Sequence, residues 1–386
     1  MPGIIVNPRS RIFHGHDWVY ASEIKKLFGD PQPGEVISLK DYKDRPLGSA
    51  IYNPASQIVA RRFSRRRQDL DREFFHRRIG LALALRDRLP VNPRLARLVW
   101  SESDGLPGII VDRYGPHLVL QTLTLAMDKR KELIAEVLVE LLSPESIILR
   151  NDSPMRKAEG LEVETGVLHG SDPGPFLVEN GDLEYHVELI SGQKTGLYLD
   201  QLDAYTEIAA LAEGKRVLDC FSNHGGFGLA CAKAGAASVT CVDISPEAIA
   251  AVQENARLNN VEITAVEANV FDYLKTCEEQ FDLIILDPPS FTRSKKALND
   301  AMRGYKEIHL RALKLLDRDG YLSTFSCSHH VSRSHFFENI NEASVDAKRS
   351  LRLVQSHAQR CDHPVLVSIP ETEYLKGFTF QLLPAR

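Results

Sequence analysis

Long apolar runs are missing from this 386-residue sequence. No stretch approaches the roughly 18 apolar residues that cross a bilayer as a helix, so no membrane partner is expected. Tryptophan (2) and methionine (4) are scarce, and the six cysteines show neither a disulfide-like spacing nor a CxxC pair. Reduced thiols are the expectation. Cys327, His329, His330 and His335, or His357, Cys361 and His363, are the nearest things to a metal set. Their spacing is not that of zinc, and adjacent histidines on a strand face opposite sides, so no metal is expected. The opening MPGIIVNPRS has no apolar signal core, which makes the cytoplasm the expected compartment. What remains is a composition of globular type, 43% hydrophobic and 26% charged, long enough for two or three domains with substantial cores.

Acidic residues outnumber basic ones, for a net charge of −5, but the two signs are unevenly spread. Residues 1–100 hold 19 Lys and Arg against 10 Asp and Glu, leaving 28 against 42 in the remainder. The basic excess concentrates at Arg61, Arg62, Arg65, Arg66, Arg67, Arg72, Arg77 and Arg78, with Phe63, Phe74, Phe75 and His76 interleaved. Guanidinium forks suit phosphate oxygens, and aromatic faces suit unpaired bases. A solvated basic helix would carry the same residues.

Residues 1–66 read as short strands with turn punctuation. Pro33-Gly34 precedes a run at 35–39, residues 41–45 form a polar turn, 47–52 follows, Asn53-Pro54 breaks it, and 58–63 resumes. That spacing predicts a small β-barrel-like module. Residues 67–96 read as a basic linker, its helix over 72–89 placing Phe75, Ile79, Ala82 and Leu83 on one face before Pro90 ends it. Residues 97–190 predict strands at 108–111 and 118–123, a helix over 128–142, and strands at 147–149, 176–179 and 185–190. That is an α+β insert with packing but no chemical constellation. Residues 191–386 alternate strand and helix, the pattern of an α/β parallel sheet.

The pivot of that last segment is KRVLDCFSNHGGFGLACAKAGAASVTCVD, residues 215–243. A short apolar run closes on Asp219, the turn at 222–228 carries Gly225, Gly226 and Gly228, and a second apolar run ends in Asp243. Strand, glycine turn, helix, strand is one right-handed crossover unit. Glycine lets backbone approach a ligand closely, and an acid about twenty residues on is where such folds hold ribose hydroxyls. The turn lacks the full G-x-G-x-x-G spacing, and an ordinary tight turn would look the same. Downstream, a helix at 245–260 and a strand at 263–266 precede Asn269. The run FDLIILD at 281–287 reads as a strand buried on both faces and leads into Pro288-Pro289-Ser290-Phe291. A helix over 299–316 and a strand at 321–325 follow, with Ser326-Cys327-Ser328-His329-His330 at the tip. Ligands gather outside the carboxyl ends of such strands. Asp219, Asp243, Asn269, Asp287 and Cys327 are therefore expected along one rim.

The order of these motifs resembles a class I S-adenosylmethionine-dependent methyltransferase: DCFSNHGGFG, an acid after the second strand, DPPSF after the fourth, SCS after the fifth. With GQKTGLYLDQ at 192–201 and the tracts RSRIFHGHDWVY, DGLPGIIVDRYG and DHPV, essentially residues 4–384 are similar to the RlmI-type family of large-subunit ribosomal RNA cytosine-5 methyltransferases. The resemblance implies a PUA-like RNA-binding β domain (1–66), an EEHEE-like α+β insert (97–190) and a Rossmann-like catalytic domain (191–386). It also implies S-adenosyl-L-methionine as cofactor, ribosomal RNA as partner and a homodimer. By position it puts Gln193, Thr195, Tyr198 and Gln201 over the methionine part of the cofactor, and Asp219, Ser222 and Gly225 along its amino-acid moiety. Asp243 would hold the ribose hydroxyls with Ile244 against the adenine, and Asn269 and Val270 would meet the adenine edge. Three positions depart from the family's usual pattern: Asn269 replaces an aspartate, Leu202 an arginine, and Asn223-His224 a Tyr-Thr pair. The amide carbonyl of an asparagine still accepts a hydrogen bond, and no departure removes a group the chemistry needs.

Carbon 5 of cytosine is a poor nucleophile. A thiolate adding at carbon 6 makes the ring enamine-like, able to take a methyl group, and loss of the carbon-5 proton then expels the sulfur. The chemistry calls for a cysteine close to an acid that meets the N3 edge of the base. Cys327 and Asp287 are the expected catalytic pair. Cys220, Cys231 and Cys241 lie in apolar runs and read as core; a small buried residue at a strand end is the plain alternative for Cys327 as well. Two other functions fit parts of the pattern: methylation of a guanine nitrogen, which needs no thiol, and a non-catalytic RNA-binding assembly factor.

Overall fold

Turns set the architecture of the first 66 residues. In the computed structural model, which describes residues 1–190, 196–292 and 295–384, they form β1 (Gly3–Val6), β2 (Trp18–Tyr20), β3 (Ile24–Phe28), β4 (Val36–Lys40), β5 (Pro46–Tyr52) and β6 (Ile58–Ser64). The sheet order is β2-β6-β5-β4-β1-β3. Strand alternation puts Ile37 and Leu39 of β4 inward, where they meet Ile4, Val6 and Val59. Pro46 stands first in β5, where a missing N–H costs the ladder least.

Asp71 starts α1 (Arg72–Arg86) by accepting the Phe74 N–H at 2.8 Å. Phe74, Phe75, Ile79 and Ala82 are buried on one face of this helix. They join the core of a second sheet made of β7 (Leu95–Trp100), β8 (Ile109–Tyr114), β9 (His117–Thr122), β10 (Ser146–Asn151) and β11 (Glu164–Gly170), with α2 (Leu125–Asp128) and α3 (Lys131–Leu142) between β9 and β10. Its order is β11-β10-β9-β8-β7. The insert therefore differs from the sequence reading in two strands. β7 opens it and β11 closes it, whereas β12 (Phe176–Asn180) and β13 (Leu183–Val187) pair only with each other. The Asn180-Gly181 turn joins them as a separate ribbon, Gly181 at φ +60°. The physical reason for the miss is that β11 is an edge strand with mostly exposed residues, so it lacks an apolar signature.

The structure divides into two compact units: residues 1–178, 187–199 and 361–372, and residues 179–186, 200–360 and 373–386. In the second, α4 (Leu202–Ala209) precedes a seven-stranded sheet of β14 (Arg216–Cys220), β15 (Ser238–Asp243), β16 (Thr264–Glu267), β17 (Phe281–Leu286), β18 (Leu316–Ser326), β19 (Ser350–Ala358) and β20 (Lys376–Leu383). The order β16-β15-β14-β17-β18-β20-β19 is parallel from β16 to β18, and β20 runs antiparallel to both neighbours. Five helices make the connections: α5 (Gly226–Lys233), α6 (Pro246–Leu258), α7 (Val270–Thr276), α8 (Leu298–Leu315) and α9 (Arg333–Asp346). The chain leaves β14 toward β15 and β16, then returns to place β17 on β14's other side. That reversal opens a crevice at the carboxyl ends of β14 and β17.

Two glycines permit the tight approach of α5 to this crevice. Gly225 caps the helix at φ +82°, in the left-handed region. A Cβ on Gly228 would stand 2.4 Å from Cys241 Sγ and 3.3 Å from Asp219 Oδ2. Gly228→Ala should overpack this contact and destabilise the protein by about 1–3 kcal/mol, read as a lower thermal unfolding midpoint at constant pH.

Candidate active site

The five rim residues expected from sequence stand at the ends of the five parallel strands. Asp219 is the penultimate residue of β14, Asp243 closes β15, Asn269 lies two residues past β16, and Asp287 and Cys327 directly follow β17 and β18. The turn after β14 is strained: Phe221 and Asn223 hold φ of +61° and +48°, uncommon for residues with a Cβ. Its reward is position, because the Asn223 N–H donates to Asp243 Oδ2 at 2.9 Å. The Ser245 N–H donates to the other oxygen at 3.0 Å, so the Asp243 carboxylate is fixed at the rim with spare lone pairs. Ile244 beside it is 64% exposed, an apolar surface that no packing requirement explains.

Asp219 is buried. Its Oδ2 accepts from the Gly228 N–H at 2.9 Å, while Oδ1 has no partner among the described residues. Burial, with added repulsion from Asp287 and Asp243, pushes its carboxyl up to about 8. Two neighbours share this condition. Ser222 Oγ and Gln201 Oε1 are buried without partners among the described residues, although Gln201 Nε2 donates to Asp287 Oδ2 at 3.1 Å. An unmet buried polar atom costs about 1–3 kcal/mol. One crevice thus holds two acceptors and a hydroxyl waiting for partners, under a negative field. That set fits the ammonium and carboxylate of an amino acid.

The other departures from the family pattern have local explanations. Asn269 Oδ1 accepts from the Phe271 N–H at 2.9 Å and caps α7, a helix that sequence reading missed. Val270 buries its side chain in the core, which leaves backbone as the part of it available to a ligand. Leu202 is buried, and His224 packs edge-on against Tyr185 at 5.7 Å and Tyr205 at 6.2 Å. Gln193 and Thr195 lie outside the described residues. Tyr198 is half-buried and belongs to the first unit.

Cys327 is half-buried, whereas burial pushes the thiols of Cys220, Cys231 and Cys241 far up. Its flanking serines hold it in place. The Tyr305 hydroxyl bonds Ser326 Oγ at 2.9 Å and Ser328 Oγ at 3.0 Å, and Ser290 Oγ meets Ser328 Oγ at 3.1 Å. In extended chain, residues 326 and 328 share one side and 327 takes the other. The network thus ties the SCS tip to the loop after Asp287. Burial, opposed by the serine bonds and reinforced by charges at Cys327 and Asp287, sets the Tyr305 phenol at about 12.

Lys376 escaped sequence reading. It is 3% exposed, and its Nζ donates to the carbonyls of Ser328 at 2.8 Å and Val331 at 2.9 Å. Burial lowers it to about 8, against the pull of charge at Cys327. Its role is to pin the segment that follows the cysteine. No local pattern announces it, since its partners lie 48 and 45 residues upstream. Among the described residues no three His, Cys, Asp or Glu side chains gather as a metal site, and none of the helices is long and apolar enough to cross a membrane.

Comparison with known proteins adds to this geometry. Residues 7–65 match the PUA-like domain family, and residues 168–366 match the S-adenosylmethionine-dependent methyltransferase family. The ribosomal RNA large subunit methyltransferase I of Vibrio vulnificus (strain YJ016) is 38% identical over 379 residues, covering 95% of this chain and 96% of that protein. The protein of the same name from Shewanella amazonensis is 40% identical, covering 94% of each. A solved structure described as a SAM-dependent methyltransferase from Streptococcus mutans superposes with a TM-score of 0.85 at 22% identity, covering 99% of this chain and 100% of that one. At that identity the likeness concerns fold.

The charge on Asp219 has a consequence for stability. Its folded carboxyl titrates near 8 and its unfolded one near 3.8, so between those values the folded state holds a proton that the unfolded state releases. Its contribution to stability is full below the lower value and is lost as pH rises through the upper one. The ligand-free thermal midpoint should therefore fall between about pH 5 and 8, and Asp219→Asn should flatten that slope.

Proposed function

The chain belongs to the S-adenosylmethionine-dependent methyltransferase family that includes ribosomal RNA large subunit methyltransferase I, and from that premise we propose that it methylates carbon 5 of a cytosine in large-subunit ribosomal RNA through a transient Cys327 adduct. The observation that carries this reading is the presentation of Cys327: a half-buried thiol at a parallel-strand tip, tied through Ser328 and Ser290 to the loop that begins at Asp287. The names of the curated relatives give ribosomal RNA as their substrate, and the PUA-like domain with its arginine-rich sequel supports the same partner here.

When bound, S-adenosyl-L-methionine supplies an electrophilic methyl group. The chain's own residues do the rest. Asp219, Ser222 and Gln201 hold the amino-acid end through the atoms left without partners, and Gly225 keeps the turn open around them. Asp243 would hold the ribose hydroxyls, and Ile244, Asn269 and the Val270 backbone would hold the adenine. Gln193, Thr195 and Tyr198 are assigned to the methionine part from sequence position. Cys327 attacks carbon 6 as thiolate, and Asp287 hydrogen-bonds the N3 edge while carbon 5 takes the methyl group. Loss of the carbon-5 proton restores the ring and expels the sulfur. The target base must be unpaired or flipped to reach this cleft.

Cys327→Ala should lower methyl transfer to unmodified ribosomal RNA by more than about a thousandfold while retaining cofactor binding, followed with tritiated cofactor. Full turnover by this variant would remove the adduct from the mechanism.

A further inference from the structure

The arginines of the N-terminal hundred residues fall into two classes. Some are neutralised. Arg61 pairs with Glu102 and Arg62 with Asp17, both at 2.6 Å, Arg72 reaches Glu136 and Glu140, and Arg86 pairs with Asp104 at 2.6 Å. Arg65, Arg66 and Arg67, between β6 and α1, are exposed and make no ion pair among the described residues. Among the described residues Arg78 donates only to the Phe63 carbonyl, at 3.4 Å, and it lies over the Phe74 ring; burial and then the Arg77 charge hold its pKa down.

These four unneutralised guanidiniums line a single recess of about 880 Å³ within the first unit. The carboxylates that reach the same recess are Asp17, Glu102 and Asp104, each already paired with Arg62, Arg61 or Arg86. Arg65, Arg66 and Arg67 also wall a second recess of about 460 Å³, which contains no acid and one lysine, Lys40, itself paired with Asp44 at 3.0 Å. A ridge of positive charge therefore runs between two hollows, its guanidiniums without an ion-pair partner among the described residues. Packing like charges together is unfavourable unless a polyanion enters, and guanidinium forks match phosphate oxygens in pairs.

We infer that this ridge and its recesses bind the sugar-phosphate backbone of the RNA substrate, independently of base sequence. The inference rests on the RNA reading above but not on the cysteine chemistry. It extends the RNA-contacting surface past the PUA-like match at residues 7–65, onto the connector and the first turns of α1.

Anisotropy of a labelled single-stranded RNA, titrated with full-length protein between about 50 and 200 mM salt, tests it. The variant carrying Arg65→Ala, Arg66→Ala and Arg67→Ala should bind about tenfold more weakly or worse, with a log–log salt slope shallower by about 2 if three phosphate contacts are lost. Its thermal midpoint and its S-adenosylmethionine binding should stay at parental values. Arg72→Ala, which removes an exposed but already neutralised charge, should leave RNA affinity and slope unchanged. Parental affinity and slope in the triple variant, or an equal loss in Arg72→Ala, would overturn the inference. Because no methyl transfer is read, a failed adduct mechanism leaves this result intact.

Discussion

A buried carboxylate, one oxygen of which has no partner among the described residues, governs this protein's second unit. Asp219 sits at the carboxyl end of the first strand of the parallel sheet, beside the point where strand order reverses. One oxygen anchors the start of α5 through Gly228. The other faces the crevice, in the field of Asp287 and Asp243. The surrounding structure makes sense as accommodation of this group. Gly228 must lack a Cβ to let the helix close on it, and Phe221 and Asn223 adopt left-handed backbone so that the turn reaches Asp243. Sites under such constraint are commonly where ligands bind, because strain and unmet polarity survive only when function repays them.

The strand tip that carries Cys327 follows a different logic. Around Asp219 polar atoms wait for partners; around Cys327 the serines are all engaged. Tyr305, Ser290 and Lys376 fix the residues before and after the thiol, by side-chain bonds on one hand and backbone carbonyls on the other. The proposed adduct would gain from this, since attack on a base requires the sulfur to be held near one position. On the proposed reading, the two regions divide the labour between a binding crevice and a held tip.

Much of the second unit was legible in the sequence because its central strands are apolar runs that end abruptly in polar residues. FDLIIL before Asp287 is such a run, and the crossover at 215–243 is another. The least legible parts share a physical cause. β1, β2 and β3 are three to five residues long, and β11 is an exposed edge strand, so neither period nor composition marks them. Asn269 stands at the rim, yet its side chain also caps a helix, a double duty that one letter cannot display. Lys376 and Tyr305 reach the site only through pairings made by the folded sheet. The arginines of the first unit make the same point in reverse: the sequence shows them as one basic cluster, and only ion-pair geometry separates the neutralised from the free.

Asp219, its carboxyl raised to about 8 by burial, is proposed to stay protonated in the free protein near pH 7 and to ionise when it receives the ammonium of the cofactor. Calorimetric titration of the protein with S-adenosylmethionine across about pH 6 to 8, in buffers of differing ionisation enthalpy, measures this directly. Affinity should rise with pH by up to about tenfold per unit, with a proton released to buffer on binding. Affinity independent of pH, with no proton exchanged, would contradict it.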